Sequence, residues 1–345
     1  MIKTRIFGQI GEEDVFCYSL ENDYIKAEIL NYGGALRSLI VNGVDVVCGF
    51  DDIKGYLEDT SYQGAIIGRY ANRIKNGSFT LNETEYNLTK NEKGVTHIHG
   101  GNKGFDKQIW KAEAVQYSDG NACLILKHFS HDGDEGYPGN LSAEVIYTLT
   151  EHSLMIHFKA RSNKDTIINL CNHSYFNLNG FDSGDIYSHD LKINAEKYSE
   201  VNEMLIPINE ADVECTPFDF RVAKLFGNDI FGNHNQLEIC SGYDHNYILS
   251  KKDSKSIRIG RKVLHEAAVV SADKNTMTVY TDMPCLQLYT ANFMTGNQPF
   301  KNGVKQKKHH ALCLETQFAP NSPNKGEAVF RAGELFDKAT VFMFE

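Results

Sequence analysis

Val145-Ile146-Tyr147-Thr148-Leu149 and Leu154-Met155-Ile156-His157-Phe158 flank a short polar turn and decide the fold class. In each run large apolar side chains return at every second position, the period of a strand with one buried face, so the two predict a β-hairpin. Outward from it the same period recurs. Ile25, Ala27 and Ile29 alternate with Lys26 and Glu28. Asn42-Gly43, the dipeptide a two-residue type I′ turn requires, sits between Ser38-Leu39-Ile40-Val41 and Val44-Asp45-Val46-Val47. Asn76-Gly77 precedes Ser78-Phe79-Thr80-Leu81, and Ser256 to Arg261, Thr276 to Thr281, Cys285 to Phe293 and Ala311 to Phe318 have strand character. Helical periodicity is confined to Asp51 to Asp59. With 28 glycines for turns, only 7 prolines, and no repeat or linker, the expectation is all-β: one large antiparallel β-sandwich domain spanning 1–345.

Composition narrows the partners. Lys plus Arg number 35 and Asp plus Glu 45, a net charge of −10 with no basic stripe, which argues against nucleic acid. The longest apolar run, Ala122 to Leu126, falls far short of the roughly 20 residues of a bilayer span. The first residues, Met1 to Gly8, lack the apolar stretch of a signal peptide. Eight scattered cysteines without a Cys-x-x-Cys read as buried reduced thiols. A cytoplasmic protein without membrane attachment is the expectation.

Four segments carry polar groups where a plain sandwich would be apolar. In Gly68-Arg69-Tyr70-Ala71-Asn72-Arg73-Ile74 two arginine forks suit recognition of carboxylates or paired hydroxyls, or else form a solvated strand end. In Thr96-His97-Ile98-His99-Gly100-Gly101 an extended chain would put both histidines on one face; a metal pair lacks a nearby third ligand, and a hydrogen-bonding turn histidine is better supported. Alternation in Leu170 to Leu178 places Cys171, His173 and Tyr175 on one face, and Asn172, Ser174 and Phe176 on the other. His173 is either a satisfied core histidine or a proton carrier near neutrality. Glu315 follows the apolar Ala311-Leu312-Cys313-Leu314, where an unpaired carboxylate out of water costs several kcal/mol, unless it reaches solvent at the strand end. Gln287 between Leu286 and Leu288, and Asp244 beside Tyr243, repeat the pattern more mildly. A carboxylate, histidines, an arginine and an amide on one sheet face fit a polyhydroxylated ligand.

These segments resemble the aldose 1-epimerase (galactose mutarotase) family. The likeness rests on Gly68 to Ile74, His99-Gly100-Gly101, Asp134-Glu135-Gly136-Tyr137-Pro138-Gly139, Asn172 to Leu178, Gly242-Tyr243-Asp244-His245, Gln287-Leu288-Tyr289-Thr290 and Glu315-Thr316-Gln317, in the family's order. It departs at His97-Ile98, where Leu is usual before the histidine, at Cys285 and Ala291, where Gly is common, and at Asn321, where Asp is frequent. The resemblance implies the galactose mutarotase-like supersandwich and interconversion of the anomers of free aldoses such as glucose and galactose, without metal or organic cofactor. It further implies Glu315 as catalytic base, His173 as catalytic acid, and Arg73, His99, Asp244 and Gln287 as sugar-binding and orienting residues; the acid role requires His173 to hold its proton near pH 7. Asn72 and Tyr175 flank matched positions as further contacts. The base and the acid are expected on opposite flanks of one monosaccharide ring, in a monomer or homodimer. Two rivals share the composition. A glycosidase would need two carboxyls about 5–5.5 or 6.5–9.5 Å apart, Glu315 with Asp244 or Glu135. A non-catalytic sugar-binding module would be expected to expose aromatics, yet the chain has a single Trp, Trp110.

Overall fold

The computed structural model describes residues 1–345 except 117–120, 253, 295 and 297. The predicted hairpin forms: strands Leu141–Leu149 and Ser153–Ser162 pair antiparallel, with Val145 opposite Phe158 and Tyr147 opposite Ile156. Val145, Tyr147, Leu149, Leu154, Ile156 and Phe158 are all buried, because a two-residue period turns every second side chain inward. This hairpin lies within a ten-stranded sheet. Its path runs Lys111–Gln116, Ala122–Ser130, Leu141–Leu149, Ser153–Ser162, Leu335–Phe344, Thr276–Thr281, Lys262–Ser271, Asp190–Ile193 and Lys224–Leu225, with Ser256–Ile259 beside Lys262–Ser271.

Two five-stranded sheets share a core with it. The first follows chain order from Ile2–Ile10 through Glu13–Glu21, Ile25–Leu30 and Leu36–Val41 to Val44–Asp45. At its Asn42-Gly43 turn both residues have positive φ, 51° and 77°, as the type I′ geometry demands. The second runs Pro207–Asp212, Ala195–Val201, Asp244–Leu249, Cys285–Tyr289 and Cys313–Gln317. A continuous apolar cluster joins Leu20 and Ile25 of the first sheet, Tyr147 and Ile156 of the large one, and Leu286, Leu288 and Leu314 of the second. All strand ladders among the described residues are antiparallel, giving the expected all-β sandwich.

The helical stretch expected over Asp51 to Asp59 is the helix Ile53–Glu58, whose Asp52 side chain accepts from the Gly55 N–H. Two short helices escaped the periodicity, Phe226–Asp229 and Asn235–Cys240, each too short to show a 3.6-residue stripe. Among the described residues no helix is long and apolar enough to cross a membrane.

Arg69 corrects the reading of a solvated strand end. It is buried; its Nε donates to Ser130 Oγ at 2.8 Å and its guanidinium to the carbonyls of His131, Pro138 and Gly139. It clamps the turn that precedes the hairpin. His97 likewise leaves the site, since its Nδ1 meets the Thr89 carbonyl at 2.7 Å and its Nε2 the Tyr137 hydroxyl. The two histidines do not share a face: His99 has φ +51°, which breaks the extended path the shared face required.

Candidate active site

The second five-stranded sheet explains the misplaced polar residues. In Asp244–Leu249, Cys285–Tyr289 and Cys313–Gln317 alternate side chains, Tyr247, Leu286, Leu288 and Leu314, enter the core. The intervening positions therefore face the other way. Register sets Asn246 opposite Gln287 and Gln287 opposite Glu315, so the polar side chains of three strands stand in one row. Segments from the first half of the chain cover this face, and a cavity of about 320 Å³ remains between. Its wall includes Asn72, Arg73, His99, His173, Tyr175, Asp244 and Glu315, seven of the eight residues expected there.

Gln287 is the exception. It stands behind the wall, and its Nε2 donates to Asp244 Oδ1 at 2.6 Å. That bond orients Asp244, and the Gln287 Oε1 is buried without a hydrogen-bond partner in the protein. Tyr175 presents its ring, while its hydroxyl donates to the Ser61 carbonyl at 2.9 Å. Asn72 closes its own backbone: its Oδ1 accepts from the Arg73 N–H at 2.8 Å. Of the carboxyls weighed for a glycosidase, Glu135 lies elsewhere, accepting from the Asn102 and Lys103 N–H groups.

His173 Nε2 lies 3.6 Å from Glu315 Oε1, side by side on one wall and not across a ring. Such spacing suits two oxygens bonded to a single carbon. The expected opposite flanks are corrected accordingly: the two groups converge on one centre. Both side chains are buried, at 5% and 3% exposure. Burial pushes the Glu315 carboxyl up to about 8, helped by the negative Asp244, against Arg73 and the Cys171 thiol. Burial pushes the His173 ring down to about 4. Burial thus works against the expected charge on His173 and favours the neutral form of both groups. Between those values the two groups hold a single proton, and the macroscopic steps belong to them jointly.

Arg73 is the fixed cation. Burial alone would lower its pKa, but Asp244 and Glu92 raise it. Its Nε donates to Glu92 Oε2 at 2.9 Å and its Nη2 to Glu92 Oε1 at 3.0 Å, while Nη1 lies 3.8 Å from Asp244 Oδ2. Glu92 was missed in the sequence because nothing in Lys90-Asn91-Glu92-Lys93 sets it apart from a solvated turn. Tyr62, Tyr289 and Phe293, also unassigned, add aromatic walls.

His99, His173 and Glu315 each bring a donor atom within 4.8 Å of the others, the one such trio among the described residues. Its hydrogen bonding does not suit a metal. The Asn72 N–H donates to His99 Nδ1 at 3.2 Å, so the neutral ring carries its proton on Nε2 and shows the cavity a donor. A metal-binding histidine does the reverse, donating from its far nitrogen. Burial, with His173 and Arg73 nearby, keeps His99 neutral. The wall therefore offers hydroxyl partners of both kinds: N–H donors at His99 and Arg73, acceptors at Asp244 and Glu315.

Comparison with known proteins agrees with this geometry. Residues 17–342 match the family model described as aldose 1-epimerase. The chain is 38% identical over 354 residues to the galactose mutarotase of Bos taurus, an alignment covering 99% of this chain and 98% of that one. It is 37% identical over 328 residues to the aldose 1-epimerase of Escherichia coli strain K12, covering 93% and 88%. The crystal structure of galactose 1-epimerase from Lactobacillus acidophilus NCFM superposes with a TM-score of 0.89 at 28% identity, over 100% of this chain and 98% of that one. With its fold, its cavity and its sequence in accord, the chain belongs to the aldose 1-epimerase family.

Proposed function

We propose that the protein interconverts the α and β anomers of free aldoses of the glucose and galactose class by general acid–base opening and closing of the ring. The observation that carries this reading is the 3.6 Å approach of Glu315 Oε1 and His173 Nε2 on one wall of a buried cavity. Removing the proton of the C1 hydroxyl and delivering one to the ring oxygen breaks the C1–O5 bond and leaves an aldehyde. Rotation about C1–C2 exposes its other face, and the reversed transfers close the ring. One accepting and one donating group are needed at two oxygens of one carbon. In the working arrangement Glu315 accepts from O1 and His173 gives to O5, each transfer contributing about 10²–10⁴-fold.

Arg73, Asp244 and His99 hold the sugar hydroxyls, with Asn72 and Tyr175 completing the wall and Gln287 fixing Asp244. The cavity lies at the small end of the ligand range of about 300–1,000 Å³, which favours a single hexose. The chain works as one domain, in a monomer or homodimer, since one core spans residues from Leu20 to Phe344 and one chain supplies the whole cavity wall. A reducing cytoplasm fits the eight cysteines, seven of them buried.

Polarimetry on fresh α-D-glucose and α-D-galactose tests the reading. His173→Asn and Glu315→Gln are each expected to lower turnover by about 10²–10⁴-fold. Near-wild-type rates in either folded variant would reject it.

A further inference from the structure

Cys171-Asn172-His173 and Cys313-Leu314-Glu315 place a thiol two residues before each proton-exchanging side chain, on the same face of the extended chain. The contacts are crossed. Cys171 Sγ lies 3.5 Å from Glu315 Oε2, and Cys313 Sγ lies 3.6 Å from His173 Nδ1. Each thiol thus backs the reactive group carried by the other segment. All four residues are buried. Burial, with Glu315 nearby, holds both thiols well above the usual range, so they stay protonated.

Building on the anomer-exchange reading above, we propose that Cys313 and Cys171 are positioning residues for this acid and base. The Cys313 sulfur accepts the Nδ1–H of His173 and leaves the Nε2 lone pair facing the cavity. The Cys171 S–H donates to Glu315 Oε2 and leaves Oε1 for the sugar.

The proposed chemistry requires that tautomer. Once the imidazolium has given its Nε2 proton to O5, the remaining proton must sit on Nδ1. On closure the Nε2 lone pair takes the proton back. A neutral ring protonated on Nε2 does neither. His99 shows the contrast, for its Nδ1 accepts from a backbone N–H and its Nε2 is a fixed donor. The two histidines of the cavity therefore hold opposite tautomers, each set from behind. Glu315 is further faced by Asp244, Arg73 and His173, and His173 by Glu315 and by the rings of His99, Tyr62, Tyr175 and Tyr289. Thiols are weak donors and weak acceptors, so their effects are graded rather than total.

¹⁵N NMR of the full-length chain labelled at histidine reads the tautomer directly, with the His173 signals identified by their loss in His173→Asn. The expected result is Nδ1–H in the wild type at pH 7. Cys313→Ala should give a tautomer mixture and a kcat about 5- to 10-fold lower at unchanged KM, with Cys313→Ser recovering most of it. Cys171→Ala should move the alkaline limb of kcat/KM upward by about half a pH unit, and Cys171→Ser should move it back. A wild-type ring protonated on Nε2 overturns the proposal. So do alanine variants that keep the wild-type tautomer and alkaline limb. Should an alanine variant fail to fold, the wild-type spectrum still decides. Failure of the underlying anomer-exchange reading shows separately, as undiminished turnover in His173→Asn or Glu315→Gln.

Discussion

At the scale of the residue, Glu315 concentrates the tension between stability and chemistry. Burial pushes its carboxyl up to about 8 in the folded chain from 4.5 for a free side chain, so the native state binds the extra proton between those values. Stability contributed by this group therefore falls as pH rises through that window and is lowest above it. Glu315→Gln should raise Tm by about 2 °C or more at pH 8.5 and leave it nearly unchanged at pH 4. Equal shifts at both pH values in thermal melts would contradict that origin. The rate carries the same signature. Below about 4 both His173 and Glu315 are protonated and no acceptor remains; above about 8 both are deprotonated and no donor remains. A bell-shaped kcat/KM profile with limbs near those two values is expected from initial rates across the pH range.

Also at this scale, the sequence was legible where a polar residue interrupted a strand pattern. Glu315, His173 and Asp244 stood out that way, and all line the cavity. Glu92 did not, because a carboxylate in a polar turn looks like any other until the fold brings Arg73 against it. Gln287 stood out for the same reason, and its bond to Asp244 is an orienting contact. Its alternation was readable, but its depth behind Asp244 depends on how three strands align. The protonation of His173 was not legible either, since the depth of burial is tertiary. Of the family departures, Ala291 now has a physical meaning: its φ is +50°, the region where glycine is at ease.

At the scale of the element, strands with one buried face were read to within a few residues. Thr276–Thr281 and Ser78–Leu81 match their expected runs, whereas Ser256 to Arg261 shortens to Ser256–Ile259. The connections were harder, because Arg69 serves a turn more than sixty residues away. His99 depends on such a connection. Its neighbour Gly100 has φ +87°, and a Cβ there would stand 1.8 Å from the Gly68 carbonyl oxygen. Gly100→Ala should cost at least about 2 kcal/mol in urea unfolding and lower turnover by misplacing His99. An unperturbed midpoint would show that the close approach does not exist.

At the scale of the whole molecule, charge bears on encounter rather than on chemistry. The chain carries a net −10, yet a free aldose is neutral and feels no long-range steering. Changing NaCl from about 0.02 to 0.5 M, which shortens the screening length several-fold, should alter kcat/KM by less than about 2-fold. A steep salt dependence would point instead to an ionised substrate.

The two halves of the cavity have unlike supports. Asp244 and Glu315 stand on two strands of one sheet with the strand of Gln287 between them, while Tyr62, Asn72, Arg73, Glu92 and His99 come from turns and very short strands that fold over it. Of the proton-exchanging pair only Glu315 rides on that sheet, whereas His173 follows the two-residue strand Cys171–Asn172, so the alignment of acid with base is set jointly by two separate supports.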